Sequence, residues 1–248
     1  MEQRQGGKEK QTAGEIIIQN RFIKWIDNIW YHYKTHILVV AFFILVGVVC
    51  FAQCSSGANG DLTISYAGGY TFGHSERENI IDVFDAIAPE KADKSRKLTV
   101  LLNDFSIYTE EELRTLYTDE DGVFSAAGYS TAKQINSDHL KNYGTYVMTG
   151  ESAVWLVSEY VYDYQNLKEI AVPLSELFES RPESAYDDYA IRLCETELYA
   201  YYDALKVLPQ DTLIVMPHSF AMWGESSNEE SYAEFLQLYR AIVDFKKP

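Results

Sequence analysis

The chain has 248 residues, 37 of them acidic and 21 basic, for a formal net charge of −16. That balance excludes a nucleic-acid binder, which needs lysine and arginine against the phosphates. Apolar residues at 47% and aromatics at 14% exclude a wholly disordered chain, and three cysteines exclude a disulfide-rich scaffold.

Residues 1–14 are polar and glycine-containing, and are expected to form a disordered cytoplasmic tail. Residues 15–34 read as an amphipathic juxtamembrane helix. Phe22, Trp25, Ile26, Ile29 and Trp30 recur at three- and four-residue spacing, with Arg21, Lys24, Asp27 and Asn28 between them. Such a helix suits the lipid headgroup region, although a partner-binding helix would carry the same pattern. Residues 35–53 are expected to be a transmembrane helix. Within them Ile37 to Ala52 carries no charged side chain, and at about 1.5 Å per residue it covers roughly 24 Å of a 30 Å hydrocarbon core. Trp30, Tyr31, Tyr33 and Lys34 supply an interfacial flank.

The long upstream segment and Gln53 before Cys54 favour an uncleaved anchor over a signal peptide, with lipidation at Cys54 as the alternative. Residues 1–36 hold six basic and four acidic residues, net +2. This leaves 15 of the 21 basic and 33 of the 37 acidic residues beyond the span, net −18. Positive-inside bias therefore places the N-terminus in the cytoplasm and the large domain outside the cell membrane.

Residues 54–60 form a Ser/Gly linker, and residues 61–248 are expected to be one extracytoplasmic α/β domain. Its strands are read at Asp61–Tyr66, Lys97–Leu102, Thr145–Met148, Tyr189–Leu193 and Thr212–Met216. Helices are read after the capping-box pairs Ser75/Glu78 and Thr109/Glu112, and over 132–142, 152–160 and 195–205. One helical turn is expected near Pro173–Leu177. A last helix carries Tyr232, Phe235, Leu236, Tyr239, Ile242 and Val243 on one face. Strands alternating with helices predict a mainly parallel sheet with helices on both faces.

The run from Tyr143 to Glu151 (YGTYVMTGE), followed by Val172 to Leu177 (VPLSEL), resembles a segment of type 2 extracytoplasmic solute-binding proteins. The stretches WYHYK at 30–34 and LKVLPQDT at 205–212 resemble uncharacterised single-span surface proteins of Gram-positive bacteria. The resemblance implies a solute-binding-like α/β fold and ligand binding at a sheet edge. This chain departs from the solute-binding family in length, with material for one lobe where the family closes two around a hinge.

Catalytic and metal signals are weak. Pro217-His218-Ser219 lacks a Gly-x-Ser-x-Gly elbow. The outer histidines His74, His139 and His218 form no His-x-x-x-His pair, and Asp119–Gly122 matches only the middle of a calcium loop. No catalytic residue, cofactor or metal ligand is assigned. Trp155 is expected in the core of the 152–160 helix and Cys194 as a buried thiol. Tyrosine stands out, with Tyr160, Tyr162 and Tyr164 in one group and Tyr199, Tyr201 and Tyr202 in another. A flat apolar ring with a hydroxyl suits sugars, peptides and interfaces as well as domain edges.

Ligand binding is expected in the loops after the first, third and last strands, at Gly69, Tyr70, Glu151, Ser152, His218 and Trp223. The sequence thus predicts a non-enzymatic, membrane-anchored binding domain. Its partners would be the lipid bilayer through residues 15–53 and a small solute, glycan or protein outside. The alternative is a scaffold or accessory subunit of a membrane complex with no ligand pocket. The net charge favours neutral or cationic ligands.

Overall fold

A computed structural model of the chain describes residues 30–31, 33–36, 38–48, 60–91, 95–218 and 229–247. The chain divides into two compact units, Met1–Gly57 and Ala58–Pro248. In the first, residues 30–31, 33–36 and 38–48 are helical. Among the described residues, no helix is long and apolar enough to cross a membrane. Five positions of the 37–52 run (37 and 49–52) lie outside them.

The second unit is an α/β domain built on a five-stranded sheet, and two families of alternating side chains hold it together. The strands are β1 (Leu62–Gly68), β2 (Val100–Ser106), β3 (Val154–Ser158), β4 (Ala190–Arg192) and β5 (Thr212–Val215), in the order β2-β1-β3-β5-β4. β1 pairs in parallel with both β2 and β3, whereas β5 runs antiparallel to its neighbours β3 and β4. The sheet is therefore mixed: mostly, but not purely, parallel.

Successive side chains of a strand face opposite sides. Leu62, Ile64, Tyr66, Val154, Leu156 and Ile214 pack with α1 (His74–Ile87), α5 (Leu174–Leu177), α6 (Glu197–Tyr201) and α7 (Glu229–Val243). Ala67, Trp155, Val157, Leu213 and Val215 face α3 (Ala126–Val147) and α4 (Glu159–Tyr164). Each large buried side chain contributes about 1.5–3 kcal/mol, so the central strands hold much of the domain's stability.

Local chemistry sets the helix starts. Thr109 caps α2 (Glu110–Leu116): its Oγ1 accepts from the Glu112 amide at 3.2 Å, and the Glu112 carboxylate accepts from the Thr109 amide at 2.7 Å. At α1 the box sits two residues earlier than expected. Gly73 is the N-cap, and Glu76 folds back to accept from its amide at 2.8 Å.

The expected third strand is corrected. Residues 145–147 end the 22-residue α3, because Leu140, Tyr143 and Val147 form one buried stripe on the sheet. The expected helix 152–160 is instead β3 running directly into α4. All five β3 residues are buried, so the run has no period with which to tell a strand from a helix. Trp155 lies in the core as expected, but on a strand. The expected helix 195–205 divides into α6 and a 3-10 turn over Asp203–Val207. Cys194 is only half-buried, with its thiol pKa raised by desolvation first and then by Glu195.

Asp61 fastens the start of β1 to β2. Its carboxylate accepts from Arg96 Nη1 and Nη2 at 2.5 Å each, from the Thr99 amide at 2.9 Å and from Thr99 Oγ1 at 3.0 Å. The Arg96 bonds, followed by those of Thr99, hold the carboxyl well below the ordinary range. A depressed folded-state pKa stabilises the fold above the unfolded pKa near 4, and that contribution is lost as pH falls below it. Asp61→Asn is expected to cost about 1–2 kcal/mol at pH 7 in urea unfolding, with the gap to wild type closing below about pH 4. A gap independent of pH would contradict this role.

Candidate functional site

The connectivity moves outward from β1 in both directions. β2 lies on one side and β3 on the other, so the chain reverses between the carboxyl ends of β1 and β3, where open α/β sheets place their ligands. Gly68, Ser106 and Ser158 end these three strands.

The residues just past the strands are tied together by polar side chains. Asn136 of α3 grips the backbone after β2 at both ends of one residue: its Oδ1 accepts from the Tyr108 amide at 2.8 Å and its Nδ2 donates to the Tyr108 carbonyl at 2.9 Å. His139 Nδ1 lies 2.9 Å from the Ser106 carbonyl. Thr71 Oγ1 donates to Ser106 Oγ at 2.8 Å and lies 2.8 Å from Tyr108 Oη. These bonds set the level of α3 against the sheet. Asn136 and His139 stand at the carboxyl edge, and the preceding turns of α3 project beyond it with no buried residue.

A groove of about 840 Å³ runs between α2, α3 and α4. Tyr108, Tyr160 and Tyr164 give it aromatic faces, and Asn136 and Gln165 give it amides. Leu113, Leu140 and Met148 line it with apolar surface, and Glu110, Lys133 and Lys141 carry its charges. The Tyr160 and Tyr164 rings stand 5.8 Å apart on successive turns of α4. Burial raises the Tyr160 pKa, followed by the Tyr164 and Glu110 charges. Gly144 lets α4 close on α3, since a Cβ there would stand 2.8 Å from Gln165 Oε1, whose amide nitrogen donates to the Leu140 carbonyl at 2.7 Å. A second hollow of about 560 Å³, lined by Leu116, Ile135 and His139, meets the groove at Tyr108, Leu113 and Asn136.

Acidic groups crowd the reversal point itself. Asp211 has its pKa raised by burial first, then by the Glu112 and Glu159 charges. Glu159 is matched by Arg192, whose Nη1 donates to it at 2.6 Å while its guanidinium lies 4.6 Å over the Tyr186 ring. Tyr66 Oη is buried beneath Gly68, where a Cβ would approach it to 2.7 Å. Among the described residues no group accepts its proton. Burial, then Asp211, Tyr108 and Glu112, raise its pKa, which the Tyr70 amide partly offsets.

The residues expected to bind ligand fall on two opposite edges. Gly69 and Tyr70 follow β1 at the carboxyl edge. Gly69 faces the Glu112 carboxylate, and Tyr70 Oη donates to Glu76 at 2.9 Å. Glu151 and Ser152 precede β3 rather than follow a strand, which places them at the amino edge, roughly 20 Å away at 3.3 Å per residue. Ser152 is buried there and donates to Tyr146 Oη at 3.1 Å. His218 also lies toward the amino edge, because β5 is antiparallel to β3, and its amide donates to the Ile170 carbonyl at 2.9 Å. Trp223 lies outside the described residues. The calcium-like stretch serves its own turn, with Asp119 Oδ1 accepting from the amides of Asp121 and Val123.

Tyr108, Asn136 and Gln165 were not among the expected binding residues. The signal available was the Tyr160-x-x-x-Tyr164 spacing, which puts both rings on one helix face, while Tyr162 between them is buried and donates to Asp187 at 2.9 Å.

No protein-family model, curated protein or solved structure matches this chain. Its site has to be read from its own geometry.

The clamp on Tyr108 is directly testable. Asn136→Leu removes both bonds and leaves the Tyr108 backbone groups unpaired, so a loss of about 1–3 kcal/mol is expected. Amide hydrogen exchange at Tyr108 should quicken more than at Leu140. Unchanged exchange at Tyr108 would mean that α3 is positioned by its apolar stripe alone.

Proposed function

We propose that this chain is a membrane-anchored, non-enzymatic binding domain whose ligand seats in the groove between α2, α3 and α4. The observation that carries this reading is the groove itself: three tyrosines and two amides around about 840 Å³, beginning at Tyr108 on the carboxyl edge. Apolar faces with a few convergent polar groups are the usual make-up of a small-molecule site. The alternating α/β chain is also compatible with the proposed kinship to one lobe of a solute-binding protein, in which binding would take place on an open surface without closure.

The anchor in this reading is the segment 35–53, with residues 1–34 in the cytoplasm and the acidic domain outside. Its support is the charge-free run and the exposure all round the helical residues 38–48, where Leu38, Phe42, Phe43 and Leu45 are each at least 60% exposed. A helix apolar on every side suits a lipid environment.

A second reading, an accessory subunit of a membrane complex, is favoured by one observation. Leu116, Val123, Phe124 and Ile135 are large apolar residues left exposed on α2, α3 and the connection between them.

Screening sugars, peptides and small metabolites against the full chain in detergent tests the groove. Tyr160→Ala combined with Tyr164→Ala is expected to weaken any hit about tenfold or more, and Glu151→Ala at the opposite edge to leave it unchanged. The reverse pattern would move the site to the amino edge. Topology is tested by adding protease to intact cells bearing an N-terminal tag. Degradation of residues 54–248 with the tag protected is expected, and a protected domain would overturn the orientation.

A further inference from the structure

The charges lining the groove do not follow the charge of the domain. Residues 54–248 carry 33 acidic against 15 basic residues, yet the groove holds one carboxylate, Glu110, against Lys133 and Lys141. Glu110 is already engaged through Oε1. Tyr129 Oη donates to it at 2.9 Å, and Arg114 and Lys133 stand 3.3 and 3.5 Å from it. Lys133 therefore shares this carboxylate oxygen with two other donors. Lys141 is exposed, and among the described residues its ammonium makes no ion pair, hydrogen bond or ring contact.

The two lysines lie eight residues apart on α3, so their Cα atoms are separated by about 12 Å along the helix axis. The wall between them includes Asn136 and Leu140, and the tyrosines of α4 stand across the groove. In a domain with a twofold excess of carboxylates, a cation left without a partner among the described residues beside this groove is available to a ligand.

Resting on the groove reading above, we propose that the ligand is a ring-bearing anion, with its ring against Tyr160 or Tyr164 and its acidic group on Lys141 and Lys133. The acidic group can be a carboxylate or a phosphate, since a lysine ammonium takes either as a point charge. Repulsion by the rest of the domain is screened beyond about 8 Å at physiological salt, whereas contacts to the lysines act within that distance. The domain average sets how fast an anion arrives, and the groove sets how well it is held.

The test uses the full chain in neutral detergent and three probes: trigalacturonic acid, the neutral galactose trimer and glucose 6-phosphate. Binding is measured by calorimetry. At least one acidic probe should bind more tightly than the neutral trimer, and preference between the two acids identifies carboxylate or phosphate as the better source. Lys141→Ala is expected to weaken the better acidic probe roughly two- to fivefold and bring its advantage over the neutral trimer toward one, with Lys141→Arg restoring it. Raising the salt concentration should also shrink the advantage. Equal binding of acidic and neutral probes, all lost with Tyr160→Ala, overturns the anion assignment and leaves the groove in place. Acidic binding insensitive to both Lys141→Ala and Tyr160→Ala overturns the two together. Failure of all three probes overturns the anion proposal, and the wider screen then decides on the groove.

Discussion

β3 is buried on both faces along its whole length, and most of the domain follows from that requirement. A strand with no solvent side needs helices above and below, and it needs partners at both edges for its amides and carbonyls. β1 and β5 supply the edges, one parallel and one antiparallel. α1, α5 and α7 cover one face and α3 and α4 the other. The antiparallel β5 has a further effect. It brings Thr212 beside Ser158, so the half-buried Asp211 is held next to the start of α4, where the Glu159 amide donates to its carbonyl at 3.2 Å.

The groove is a product of unequal lengths. Five residues of β3 span about 17 Å, while the 22 residues of α3 span about 33 Å. A helix twice as long as the strand it covers must overhang, and its buried residues Leu140, Tyr143 and Val147 all lie in its last eight positions. The overhanging turns would swing freely if only those three residues held them. Asn136 and His139 fasten them to the end of β2, and α2 packs beside them with Glu110 bonded to Tyr129. The short α4 then closes the other side through Gln165 and Gly144. Every wall of the groove is thus fixed by a bond that a small number of named side chains make.

How much of this was legible in the sequence depends on whether a segment has two different faces. α2 announced itself through Thr109 and Glu112, because a capping box is a local bond between residues three apart. α7 was legible because Tyr239 and Ile242 are buried on one face of a repeating stripe. β3 was not, since Val154 to Val157 are buried on both sides and carry no period. Residues 145–147 misled for the opposite reason. Threonine, tyrosine and valine favour strands, but burial of Tyr143 and Val147 one turn apart outweighs that preference. The misplacement of β3 then carried over to the site. Once a strand was read at 145–148, residues 149–152 became a carboxyl-edge loop, and Glu151 and Ser152 moved to the wrong end of the sheet. The Asn136 clamp had no sequence signal at all, because it joins residues 28 apart.

Net charge is the clearest case of an average that hides its parts. The sequence separates a cationic end from an anionic domain, and on that scale an acidic ligand is disfavoured. Inside the domain the carboxylates are distributed by a different rule. Asp61, Glu110 and Glu159 are consumed by Arg96, by Arg114 with Lys133, and by Arg192, and each of these pairs ties two elements together or steadies one. The remaining acids stand mostly on exposed surface, where water screens them within a Debye length. What that pairing leaves along the groove is a Glu110 engaged through Oε1, a shared Lys133 and a Lys141 without a partner among the described residues. Local compensation, rather than the sum over the chain, decides the sign of the charge a binding surface presents.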